Sequence, residues 1–121
     1  MVEFANAIGA VAPRPLAYIH MPVPIDRDDD KFHAPFRDLK LPAGTELYLG
    51  VIHAKDGVSG SRRRLATAAR YAPPFGVATE CGMARARTEE TVKALLNIHA
   101  EICREAWSGT PVPIPACAPW Q

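Results

Sequence analysis

The strongest constraint on this chain is a repeated pattern of three short apolar runs, each closed off by turn-forming residues and each followed by a helical stretch. The first run is Leu16-Ala17-Tyr18-Ile19-His20, held between Pro15 and Pro22. The second is Glu46-Leu47-Tyr48-Leu49-Gly50-Val51-Ile52, followed by His53. The third is Phe75-Gly76-Val77-Ala78-Thr79, which leads into Glu80-Cys81-Gly82. Short apolar runs bounded by Pro and Gly read as strands. The near-continuous apolar character of the second suits a parallel strand covered on both faces.

Helical patterns fill the intervals. Val2 to Val11 is apolar and Ala-rich and stops before Pro13, as the end of a helix would. Asp28, Asp29 and Asp30 open a second helix, because carboxylates favour the positive end of the helix dipole and cap free N–H groups. Phe32, Phe36 and Leu39 then recur on one face, and Pro42 and Gly44 end the segment. Ser59 or Ser61 is the expected cap of a third helix, with Leu65, Ala68, Ala69 and Ala72 as its thin apolar face. The last helix starts near Thr88, with Glu89 and Glu90 in its first turn. Val92, Leu95, Leu96, His99, Ile102, Cys103 and Ala106 are expected on its inner side. Strands alternating with helices predict an α/β fold with parallel strands joined by right-handed crossovers. Residues 1–107 carry this pattern. Residues 108–121 hold Pro111, Pro113, Pro115 and Pro119 and read as an extended, Pro-rich tail.

Composition removes several function classes. The formal net charge is +1, so nothing favours nucleic acid or a membrane surface as partner. Pro, Gly or charge interrupts every apolar run well before spanning length. Met1 to Ala12 lacks the basic head and apolar core of a secretory leader. The three cysteines, Cys81, Cys103 and Cys117, are therefore expected as free thiols in a reducing cytoplasm.

The chemistry-bearing residues gather at one place in the pattern. Each strand ends in a group able to act: His20, His53, then Glu80 and Cys81. In parallel α/β folds the site lies at the C-terminal strand edge, where the loops converge. His and Cys are also preferred zinc ligands. A His after a strand is otherwise an ordinary hydrogen-bonded turn residue, and Cys an ordinary small core residue. Elsewhere, Arg62-Arg63-Arg64 reads as a solvated face, or else as a seat for an anionic group. The Asp26 to Asp30 cluster reads as capping, His33 as a surface residue and His99 as a core one.

The strand ends resemble those of a known family. Val51-Ile52-His53-Ala54 and Ala78-Thr79-Glu80-Cys81-Gly82 look like the last two strand ends of the catalytic barrel of cobalamin-independent methionine synthase, which read Asp-Ile-His-Ser and Asn-Pro-Asp-Cys-Gly. Ile19-His20 falls where the family carries Ile-Glu. Val51 and Ala54 depart from the Asp and Ser that help hold the amino-acid substrate. The resemblance implies a partial TIM (β/α)8 barrel, about three C-terminal βα units over residues 1–107. A whole barrel needs about 250 residues, so completion by another chain, or a fragment, is the expectation. It implies zinc-dependent methyl transfer in methionine biosynthesis, from a folate-type methyl donor to a small-molecule thiol. Cys81 and His20 would be metal ligands, and His53 the acid that protonates the departing folate nitrogen. The family's remaining His-x-Cys ligand strand would lie before Met1. The second expectation is a non-catalytic fragment or subunit that completes another chain's barrel or associates with itself.

Overall fold

The computed structural model describes residues 1–107; the expected Pro-rich tail lies outside the described residues. The elements are α1 (Val2–Val11), β1 (Tyr18–Pro22), α2 (Asp30–His33) running into a 3-10 turn (Ala34–Asp38), β2 (Glu46–Ile52), α3 (Gly57–Ala68), β3 (Phe75–Thr79) and α4 (Glu89–Trp107). The three strands form one parallel sheet in the order β1-β2-β3. The described residues are thus mixed α/β, with a three-stranded parallel sheet and four helices.

Strand alternation divides the sheet into two unlike faces. Leu47, Leu49, Phe75 and Val77 are buried with Leu65 and Ala68 of α3 and Leu95, Ile98 and Ile102 of α4. Tyr18, His20, Glu46, Tyr48 and Ala78, on the alternate positions, line a groove of about 640 Å³. The second strand was expected to be covered on both faces, and the polar Glu46 and Tyr48 show why it is not: the Tyr48 hydroxyl donates to Glu46 Oε2 at 2.9 Å beside open space.

Several boundaries differ from the sequence pattern for local reasons. Strand β1 runs to Pro22 rather than ending at His20. A proline is tolerated there because β1 is an edge strand and needs no N–H on its open side. The second helix gives way to a 3-10 turn at Ala34, since Pro35 has no N–H to continue the α ladder. Asp29 accepts from the Phe32 N–H at 3.0 Å, so the expected acidic cap is present. Helix α3 starts at Gly57, earlier than either serine. Its cap residue is Asp56, whose side chain makes no capping bond because it is engaged elsewhere.

Four side chains correct the sequence reading. His33 is fully buried, not on the surface, with Nδ1 3.0 Å from the Asp29 carbonyl and its ring edge-on to Phe32. Arg64 is also fully buried. Only Arg62 and Arg63 form the solvated face, paired with Glu105 and Asp28. On α4, Leu96 is exposed and Ile98 takes its place in the core. Cys81 is a free thiol, whereas Cys103 is disulfide-bonded.

Candidate functional site

The C-terminal edge of the sheet is built around a residue without a side chain. In the register of β1 and β2, Pro22 lies opposite Gly50 and His20 opposite Tyr48. A Cβ on Gly50 would lie 2.9 Å from His20 Nε2 and 3.1 Å from the Thr79 carbonyl oxygen. Glycine therefore opens a gap in the central strand, and the His20 imidazole occupies it. Strands in a sheet are about 4.8 Å apart. The long imidazole of β1 must reach across β2 to meet anything beyond β3, and here it does: His20 Nδ1 is 3.9 Å from Cys81 Sγ. Cys81 is exposed, and His20 Nε2 is buried with no hydrogen-bond partner. Native folds rarely leave such an atom unpaired, because its desolvation costs about 1–3 kcal/mol.

His53 is placed differently. It is buried, and its Nε2 lies 2.8 Å from the Val23 carbonyl oxygen. A carbonyl only accepts, so Nε2 carries the proton and Nδ1 is the nitrogen left for acid–base work. Nδ1 faces Glu80 Oε2 at 3.5 Å, and the other oxygen of Glu80 pairs with Arg87 at 2.7 Å. The edge thus brings together two pairs, His20 with Cys81 and His53 with Glu80, contributed by all three strand ends. Among the described residues no group of three or more His, Cys, Asp or Glu side chains is arranged to hold a metal ion. Within the pair, the 3.9 Å separation is close to the roughly 3.6 Å expected between a nitrogen and a sulfur ligand on one tetrahedral zinc.

An ion pair between a buried guanidinium and a half-buried carboxylate fixes the ground on which this edge stands. Arg64 donates to Asp56 through both terminal nitrogens, at 2.6 and 2.9 Å. It also donates to the Val51 carbonyl at 2.9 Å and the Ile25 carbonyl at 2.8 Å. One guanidinium thereby ties the end of β2, the start of α3 and the loop after β1. The Arg64 hydrogen bond holds the Asp56 carboxyl below its ordinary value against the opposing effect of burial, with help from the charges of Arg64 and His53. The arginine triplet at the start of a helix was visible in the sequence, but its periodicity does not say which of the three points inward. In the sequence, Gly50 reads only as a weak position within a strand.

A scan of protein-family models, a search of curated proteins and a search of solved structures each find no match to this chain. No helix among the described residues is long and apolar enough to cross a membrane.

Proposed function

We propose that this chain is the C-terminal part of a (β/α)8 barrel of the cobalamin-independent methionine synthase type, and that His20 and Cys81 are two ligands of its zinc ion. The observation that carries the reading is the 3.9 Å approach of His20 Nδ1 to Cys81 Sγ across the gap at Gly50. Both side chains are of zinc-binding type, and both stand at the edge where parallel α/β folds place their chemistry. When bound, zinc would hold a substrate thiol as the thiolate, the nucleophile for methyl transfer. His53 is the acid: its Nε2–H is committed to the Val23 carbonyl, so Nδ1, 3.5 Å from Glu80 Oε2, is the nitrogen that would pass the proton. The substrates are a small thiol such as homocysteine and a folate-type methyl donor, and the compartment is the cytoplasm. The Cys103 disulfide favours an oxidising setting instead.

Two protein ligands are fewer than the three or four of a zinc site, so the reading requires further donors from a complementing chain. Titration with zinc tests it. The chain alone should bind weakly through His20 and Cys81. Added polypeptide carrying the earlier βα units should raise affinity many-fold and bring methyl transfer to homocysteine with it.

The second reading is a non-catalytic subunit whose role is to complete another chain's barrel. It is favoured by the uncovered groove beside Tyr18 and Tyr48 and by the exposed stripe Phe4, Ile8 and Val11 on α1. Complementation that restores a barrel without zinc at His20 and Cys81 would select it.

A further inference from the structure

Strand β1 is an outer strand, and the bonds it already makes fix which of its backbone groups are free. The Ala17 carbonyl accepts from the Glu46 N–H at 3.0 Å, and the Val23 N–H donates to the Gly50 carbonyl at 3.3 Å. In a ladder, alternate residues face the same neighbour, so Ile19 and Met21 also bond β2. Tyr18, His20 and Pro22 turn their backbone groups outward, where no strand lies among the described residues. That row offers N–H groups at Tyr18 and His20 and none at Pro22. Exposed edges of this kind are usually blunted by charged side chains, and β1 carries no Lys, Arg, Asp or Glu.

Apolar exposure gathers in the chain that leads into this edge. Among the described residues, the exposed large hydrophobics are Met1, Phe4, Ile8, Val11 and Tyr18, with only Leu96 elsewhere. Phe4 is 70% and Tyr18 62% exposed. At roughly 150–250 Å² per aromatic side chain, two copies bring about 500 Å² from these rings alone. That is about half of the roughly 1,000 Å² a specific interface needs, and Met1, Ile8 and Val11 add to it.

We propose that the chain on its own is a two-fold symmetric homodimer, in which β1 pairs antiparallel with β1 of a second copy, Tyr18 opposite His20 and Ile19 opposite Ile19. A two-fold axis perpendicular to the sheet joins two such edges antiparallel and keeps the helices of both copies on one face. The contact is self-complementary and closes, whereas pairing β1 with the β3 edge of another copy would leave an edge open at each end. Pro22 sets the register. Tyr18 opposite His20 matches every N–H of the outer row with a carbonyl. A slip that set Tyr18 opposite Pro22 would drive the proline ring against the Tyr18 carbonyl. A slip the other way would call on the Leu16 carbonyl, which already accepts from Thr45 Oγ1 at 2.9 Å. A complementing chain would add its strand to this same edge, so dimer and completed barrel exclude one another. The inference goes beyond the zinc reading and does not depend on it.

Cysteine cross-linking of the full chain tests the register, in a Cys81→Ser background that removes the exposed thiol. Residues facing each other at a non-hydrogen-bonded position have Cα atoms about 4.5 Å apart, within the roughly 4.4–6.8 Å of a disulfide. Ile19→Cys should therefore form a covalent dimer in oxidised glutathione, which takes up the electrons and protons of the two thiols. Ala17→Cys lies on the order of 13 Å from its symmetry mate and should not. Mass spectrometry identifies the linked peptide. Sedimentation of the parent chain should give a single dimer at micromolar concentration. Tyr18→Pro removes half of the inter-strand bonds and should raise the dissociation constant at least about tenfold. Tyr18→Thr keeps the N–H and should weaken the dimer less. Absence of the 19–19 cross-link, or a 17–17 cross-link of equal yield, would overturn the proposal. So would equal weakening by the two Tyr18 variants, which would assign the contact to the ring. Should Tyr18→Pro fail to fold by circular dichroism, the cross-links decide alone. Their failure leaves zinc binding, measured separately, untouched.

Discussion

The imidazole of His20 sits in the space where Gly50 has no side chain, and a methyl group there would come within 2.9 Å of its Nε2. This one vacancy lets a residue of an edge strand reach the thiol that follows the other edge strand. Gly50→Ala should displace the imidazole, since the Thr79 carbonyl on the opposite side, at 3.1 Å, leaves the new methyl little room to shift. Overpacking of this kind costs about 1–3 kcal/mol. Urea unfolding should show that loss, and zinc binding through His20 and Cys81 should weaken in the same variant.

The Asp56–Arg64 pair gives a second prediction. Asp56→Asn leaves a buried guanidinium without its counter-charge and should cost about 3–5 kcal/mol. The pH dependence follows from the same contact. The Asp56 carboxyl titrates below its unfolded value when folded, so its contribution is complete above that value, near pH 4. It is lost as pH falls through the depressed folded value. Acid unfolding followed by circular dichroism should therefore begin at higher pH in Asp56→Asn than in the parent chain.

His99 works in the opposite chemical sense and the same pH sense. Burial alone pushes its imidazole below the ordinary 6.5, so the folded state resists protonation. The stability it permits is full above 6.5 and falls as the pH drops from there through the lowered folded value. His99→Leu should flatten the stability profile between about pH 5 and 7. Parallel profiles for the two proteins, measured by thermal melts across that range, would remove His99 from the account.

Assembly is the fourth prediction. Among the described residues, strands β1 and β3 each leave an unpaired edge, and the groove face and the Phe4, Ile8, Val11 stripe add exposed apolar surface. Such surfaces drive association. Sedimentation of the purified chain should give oligomers at micromolar concentration, and Phe4→Lys with Val11→Glu should shift it toward monomer.

The order of elements was legible because strand and helix periodicities differ and Pro and Gly mark the joints. The edge that carries His20, His53 and Cys81 was legible because each lies near the C-terminal end of a strand. What the sequence did not disclose was direction. Arg62, Arg63 and Arg64 are adjacent and chemically alike, yet only Arg64 turns inward, because its position faces the Val51 and Ile25 carbonyls. His33 lies among acidic and basic neighbours that read as surface, but Phe32 and Phe36 bury it. Gly50 reads as a weak point in a strand until the neighbour that fills its space is known.

The most direct test of the central claim is zinc affinity, measured by competition with a chromophoric chelator on the reduced chain. The account predicts weak binding by the parent, loss of that binding in both His20→Ala and Cys81→Ala, and retention in His99→Ala. Equal affinity in all four proteins would contradict it, and His20 and Cys81 would then be neighbours without a shared metal.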